Sequence, residues 1–276
     1  MRILCLHGHG TSASIFKSQT VAFRNKLDKS FDFDFVDAPF HCAPAPGVKV
    51  MFDSGHYTWW PKASVHAIRA AHHWLDEYAA EHGPYDAVCC FSQGCSLVAS
   101  YLLYHARETP TAPLPFRAAI FICGGLPLPV LEDLVPPGAR ALSPRAHAVN
   151  DETVRLLKAR AGALTDLAAH PERIRRGRGL WDDTAGLLHD PLVMPPPDDV
   201  FGMDFTAMPP DLRIRIPTVH VYGAKDPRWP ASVQLAHFCE DRRMYDHWGG
   251  HDIPRSTAVS DRMAELVRQL EREVAR

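Results

Sequence analysis

The 276-residue chain is long enough to bury a substantial core, and its net charge of −2, with acids and bases interspersed, offers no electrostatic footprint for nucleic acid. No apolar run approaches the roughly 18 residues that span a bilayer, and Met1-Arg2 leads into a strand without a signal-peptide core, so a soluble, cytoplasmic protein with no membrane partner is expected. Seven cysteines, mostly in apolar contexts (Cys5, Cys89, Cys90, Cys123) and without repeated C-x-x-C pairs, read as reduced core thiols, not as a disulfide framework or a zinc site.

In chain order, Arg2-Ile3-Leu4-Cys5-Leu6 reads as a buried strand running into the loop His7-Gly8-His9-Gly10. His7 and His9 have the spacing of a metal pair, but no downstream cluster of acids and histidines completes a signature, and no metal is expected. Gly8-x-Gly10 with Asp37 has the outline of a dinucleotide loop without its third glycine, so no cofactor is expected either. Ser14 is placed to cap a helix over 15–27, with Ile15, Phe16, Val21, Phe23 and Leu27 toward the core. Phe31-Asp-Phe-Asp-Phe-Val36 alternates as a half-exposed strand does, and Asp37-Ala38-Pro39 ends it. Residues 40–61 are rich in proline, glycine and aromatics. Trp59 and Trp60 at their end read either as a substrate wall or as packing against the helix expected over 62–82.

The stretch 85–100 organises the chain. Ala87 to Phe91 are continuously apolar, as in a parallel strand covered on both faces, and helical spacing follows from Ser96. Between them Cys90-Phe91-Ser92-Gln93-Gly94 nearly matches the G-x-S-x-G nucleophile elbow, with cysteine in place of the first glycine. The bland reading makes Ser92 an ordinary helix cap. In an elbow, the oxyanion donors would be the backbone amides of Gln93, just after the nucleophile, and of His9 in the loop after the first strand.

Another buried strand is expected within 117–123, ending at Gly124-Gly125. Residues 126–214 depart in composition, with Pro195-Pro196-Pro197, a basic run over 173–178 and one helix over 151–167 capped by Asn150; they read as an insertion or lid in a single domain of 1–276. The arginines of the run are either a solvated face or a dock for an acidic carrier or a phosphorylated arm of the substrate. A strand over 217–223, a helix over 231–239, a short strand at 244–245 and a closing helix over 257–274 complete an α/β alternation, which indicates a doubly wound, mostly parallel sheet.

Asp226 follows the late strand in Gly223-Ala224-Lys225-Asp226, and His251 follows the last strand in Gly249-Gly250-His251. Ser92, Asp226, His251 is the chain order of an α/β-hydrolase triad, with each member on a loop at strand C-termini. Asp246 and Asp252 compete for the acid and His247 for the base.

These motifs, with Leu6-His7-Gly8, Asp37-Ala38-Pro39 and Trp59-Trp60, resemble those of the FSH-type serine hydrolases, α/β-hydrolases related to the ovarian cancer gene 2 product, over nearly the whole chain and least from 126 to 214. The resemblance implies a triad of Ser92, Asp226 and His251, an oxyanion hole of the His9 and Gln93 amides, and an acyl ester or thioester substrate, free or bound to a carrier protein. Fungal members include thioesterases that release polyketides from their synthases, so such a thioesterase is expected. A small-ester carboxylesterase and a non-catalytic scaffold are the alternatives. Trp59, Trp60, Phe205 and Trp229 are expected to flank the triad loops as substrate-binding aromatics.

Overall fold

A computed structural model describes residues 1–49, 52–53, 55–136, 138–173, 179–190 and 192–275. The strands are β1 (Arg2–Leu6), β2 (Asp32–Val36), β3 (Phe40–His41), β4 (Tyr57–Thr58), β5 (Ala87–Phe91), β6 (Ala119–Ile122), β7 (Thr218–Tyr222) and β8 (Arg242–Asp246). The helices are α1 (Ala13–Arg24), α2 (Val65–His82), α3 (Gln93–Glu108), α4 (Leu128–Leu134), α5 (Pro144–Ala169), α6 (Trp229–His237) and α7 (Thr257–Val274). Strands β3 and β4 form a small antiparallel pair. The other six make one parallel sheet in the order β2-β1-β5-β6-β7-β8.

Because alternate residues of a strand face opposite sides, each central strand feeds two cores. Val88 and Cys90 join Leu4, Leu6 and Phe121 in a core covered by α2, α3, α4 and α6, whereas Ala87, Cys89 and Phe91 join Ile3 and Cys5 beneath α1 and α7. All seven cysteines are free, and all but Cys42 are buried. From β1 the chain steps outward to β2, then returns to the other side of β1 as β5. Helices α1 and α3 therefore leave neighbouring strands toward opposite faces, and a crevice opens between the loops after β1 and β5, the usual ligand position in such sheets.

Several element ends differ from expectation for physical reasons. Helix α1 is capped by Ser12, not Ser14: Ser12 Oγ accepts from the Ile15 N–H, and Asp37 Oδ1 reaches across to accept from the Ala13 N–H at 2.7 Å. Helix α2 starts at Val65 behind a Ser64 cap, and α6 covers Trp229–His237. Helix α5 runs 26 residues from Pro144, so Asn150 lies inside it instead of capping it; proline in the first turn after Ser143 sets the start. Strand β8 has five residues, not two, because an edge strand tolerates the polar Arg242, Arg243 and Asp246. Helix α7 covers 257–274 as read from sequence. Of the basic run, residues 174–178 lie outside the described residues. Among the described residues, no helix is long and apolar enough to cross a membrane.

Candidate active site

Ser92 joins β5 to α3 with φ 51° and ψ −111°, a backbone region that costs a non-glycine residue about 1–3 kcal/mol and persists only where the surroundings enforce it. Those surroundings are visible. The Ser92 N–H donates to Ile122 O at 3.0 Å, and a Cβ placed on Gly94 would fall 2.3 Å from Leu6 O, so only glycine lets α3 start this close to β1. Ser92 Oγ makes no capping bond to α3, so the hydroxyl is not spent as a helix cap. Cys90, where the motif has glycine, points into the core beneath α3; its thiol lies 3.4 Å from Ile120 O, and burial pushes its pKa well up, keeping it neutral.

Two further loops converge on Ser92. His251 Nε2 lies 3.0 Å from Ser92 Oγ, and His251 Nδ1 lies 2.6 Å from Asp226 Oδ2. With Nδ1–H donating to the carboxylate, the Nε2 lone pair is left to accept the serine proton. Asp226 is fully buried and its other oxygen accepts the Arg228 N–H at 2.7 Å. The loops after β7 and β8 are in backbone contact: Lys225 N–H donates to Gly249 O at 2.9 Å, and a Cβ on Gly223 would meet that oxygen at 2.1 Å. That contact sets Asp226 against His251. Two of the three competing groups, Asp246 and His247, are engaged elsewhere. Asp246 Oδ1 accepts from the Ala224 and Trp248 amides, tying the same two loops together. His247 Nδ1 accepts from the Gly249 N–H, and burial holds its imidazole at about 4. Asp252 is pushed upward by burial, and its Oδ1 has no partner among the described residues.

The loop after β1 also reaches the elbow. A Cβ on Gly8 would lie 3.2 Å from Ser92 Cβ, so the backbone just before the His9 amide touches the serine. Among the described residues, the amides of His9 and Gln93 donate to no protein group. Their side chains meet on Thr58, whose Oγ1 is 3.1 Å from His9 Nδ1 and 3.0 Å from Gln93 Oε1; the same Oε1 accepts from the Trp59 N–H. Sequence reading missed this bridge, because a threonine in an aromatic loop carries no motif. His7 is not free for a metal: Nδ1–H donates to Gly8 O at 2.8 Å and Nε2 accepts from the Ala38 N–H at 3.0 Å. Ligand atoms of Cys123, Asp226 and His251 lie within 4.8 Å of one another, but two of these residues already belong to the Ser92 chain of hydrogen bonds.

Beside Ser92 and His251 opens a cleft of about 230 Å³, lined also by Trp60, Gln93, Cys123, Gly125, Leu157 and Arg228. Of the four aromatics expected here, the structure brings Trp60 alone to the wall. Trp59 is 0 % exposed and its indole N–H donates to His7 O; Trp229, 1 % exposed, stacks on His189; Phe205, 7 % exposed, packs on His237 and Phe238. Each fills a core gap at a segment junction, so the expectation that they line the site is corrected. Residues 126–214 supply Pro127 and Leu157 to the cleft, and His189 Nε2 lies 2.7 Å from Ala224 O. Arg228, two residues past Asp226, was also missed; an arginine directly after an acid-bearing turn was the available signal.

The chain is similar to known proteins over nearly its whole length. The family model described as "Serine hydrolase (FSH1)" matches residues 1–263. The chain is 30 % identical over 276 residues to "Esterase FPY3" of Fusarium mangiferae, covering 98 % of this chain and 96 % of that one. It is 32 % identical over 274 residues to "Esterase alnB" of Emericella nidulans, covering 92 % and 91 %. Among solved structures, that of Arabidopsis thaliana SOBER1 superposes with a TM-score of 0.47 at 14 % identity over 98 % of both chains.

Proposed function

The chain belongs to the FSH1 family of serine hydrolases and has the α/β-hydrolase fold, and from that membership we propose that Ser92, His251 and Asp226 cleave an acyl thioester, releasing a polyketide-like chain from its carrier. The observation that carries the site assignment is the unbroken line from Ser92 Oγ through His251 to Asp226, at 3.0 and 2.6 Å. Family membership sets aside the reading as a non-catalytic scaffold.

In this mechanism Ser92 Oγ attacks the acyl carbonyl as His251 Nε2 takes its proton. Asp226 holds the ring with Nε2 toward the serine and stabilises the imidazolium. The tetrahedral oxyanion accepts hydrogen bonds from the His9 and Gln93 amides, which donate to no group among the described residues. Collapse expels the thiolate, which takes the proton from His251. Water, activated by the same imidazole, then cleaves the acyl-enzyme and returns Ser92. Residues 126–214 act as a lid on a single domain of 1–276: the cleft is smaller than the roughly 300–1,000 Å³ of typical ligand sites, so an extended chain enters as Leu157 and Pro127 give way.

A small-molecule carboxylesterase using the same residues is the second reading, favoured by the word "Esterase" in the names of the relatives. A chain-length series with one constant leaving group separates the two. For the thioesterase, kcat/KM climbs steeply from acetyl to medium-chain thioesters, since each buried methylene contributes about 0.8 kcal/mol. Equal rates across the series, or a preference for acetyl oxyesters, would establish the carboxylesterase.

A further inference from the structure

The cleft holds a positive charge that the proposed hydrolysis does not use. Arg228 lines the cleft with Ser92 and His251. One guanidinium nitrogen, Nη1, is committed to α5: it donates to Thr153 Oγ1 at 2.9 Å and to Asn150 Oδ1 at 3.1 Å. Nε and Nη2, the side-on edge that fits a carboxylate with two parallel hydrogen bonds, donate to no group among the described residues. Nη2 lies along the cleft wall, 3.6 Å from where a Cβ on Gly125 would stand, so the missing side chain there keeps this edge open.

Nor is the charge balanced. No carboxylate of the described residues forms an ion pair with Arg228, and the acid that affects it most, Asp226, is held by His251 and accepts only the Arg228 backbone N–H. A partly buried cation without a counter-ion is costly, and burial lowers its pKa without removing the charge. If clamping α5 were its whole role, a neutral donor would serve at lower cost. Resting on the hydrolase reading above, we propose that the substrate carries a carboxylate, bound side-on by Nε and Nη2 of Arg228 while its ester or thioester carbonyl sits at Ser92.

The carboxylate belongs to either the acyl group or the leaving group, and two substrate pairs distinguish them. Glutaryl against pentanoyl thioesters of one neutral thiol tests the acyl side; hexanoyl thioesters of 3-mercaptopropionate against propanethiol test the leaving-group side. In the wild-type protein one pair shows kcat/KM favouring the acid, and Arg228→Gln lowers that acid-to-neutral ratio by roughly 10- to 100-fold, the worth of a charge-assisted pair. Arg228→Lys, which keeps the charge and loses the fork, falls between. Ratios equal in wild type and Arg228→Gln on both pairs overturn the proposal, as does an equal fall for acid and neutral substrates, which marks a clamp alone. Calorimetric titration of glutarate into the wild-type protein gives a readout free of turnover: binding present in wild type and lost in Arg228→Gln supports the site, and no binding to either, with equal ratios, removes it. Fluorophosphonate labelling of Ser92 keeps the two readings apart, since its absence in wild type defeats the hydrolase mechanism without touching the glutarate result.

Discussion

Ser92 combines a strained backbone, costly to keep without a use, with a hydroxyl that caps no helix and an imidazole at 3.0 Å. Ser92→Ala is expected to lower kcat on the order of 10⁴–10⁶ with the fold intact, and to abolish fluorophosphonate labelling; turnover near wild type would remove the assignment. Asp226→Asn should slow turnover by about 10³–10⁴, whereas Asp246→Asn acts mainly on stability because Asp246 ties loops together. A larger kcat loss in the Asp246 or Asp252 variant than in Asp226→Asn would move the acid. Thr58→Val unlinks His9 from Gln93 and is expected to lower kcat about tenfold with little change in KM, less than removal of an oxyanion donor outright. Ser92, Asp226 and His251 were legible because each sits in a loop motif whose chain order carries information. Thr58 and Arg228 were not, since their roles depend on which loops meet in space. Trp59, Trp229 and Phe205 show the converse: an aromatic near a motif has the same spacing whether it faces a cleft or a core gap.

At the scale of elements, the start of α3 is packed against β1 with no room for a side chain at Gly94. Gly94→Ala forces a methyl to within 2.3 Å of Leu6 O, so a loss of about 2–3 kcal/mol in urea unfolding is expected, with reduced labelling of Ser92; a change below 0.5 kcal/mol, roughly the noise of surface substitutions, would mean that the junction yields. Trp60 is the aromatic wall of the cleft, and Trp60→Ala should cut kcat/KM for medium-chain acyl groups more than for acetyl. An equal loss at every length would make Trp60 a packing residue. Strands with continuous apolar runs and α7, with its regular stripe, were readable directly. The ends of α1 and α5 were not: Ser12 and Ser14 are equivalent by spacing, and Asp37, distant in sequence, decides between them.

For the molecule as a whole, burial links stability to pH. The imidazoles of His72 and His220 are held down at about 3 and that of His247 at about 4, each chiefly by desolvation, whereas histidine in an unfolded chain titrates near about 6.5. Between those values the unfolded chain takes up protons that the folded one refuses. Stability that is present in full above about pH 6.5 is therefore lost as pH falls toward 4, at up to about 1.4 kcal/mol per pH unit for each histidine. A melting temperature at pH 4.5 more than about 10 °C below that at pH 6.5 is expected, and a flat profile would contradict it. The order of the sheet has a consequence for synthesis. Ser92 precedes His251 by 159 residues, and β7 and β8, which lead to Asp226 and His251, form the edge of the sheet that is translated last. With the proposed triad, a ribosome-bound chain carries Ser92 long before His251 is made, and hydrolytic power waits until the C-terminal segment docks.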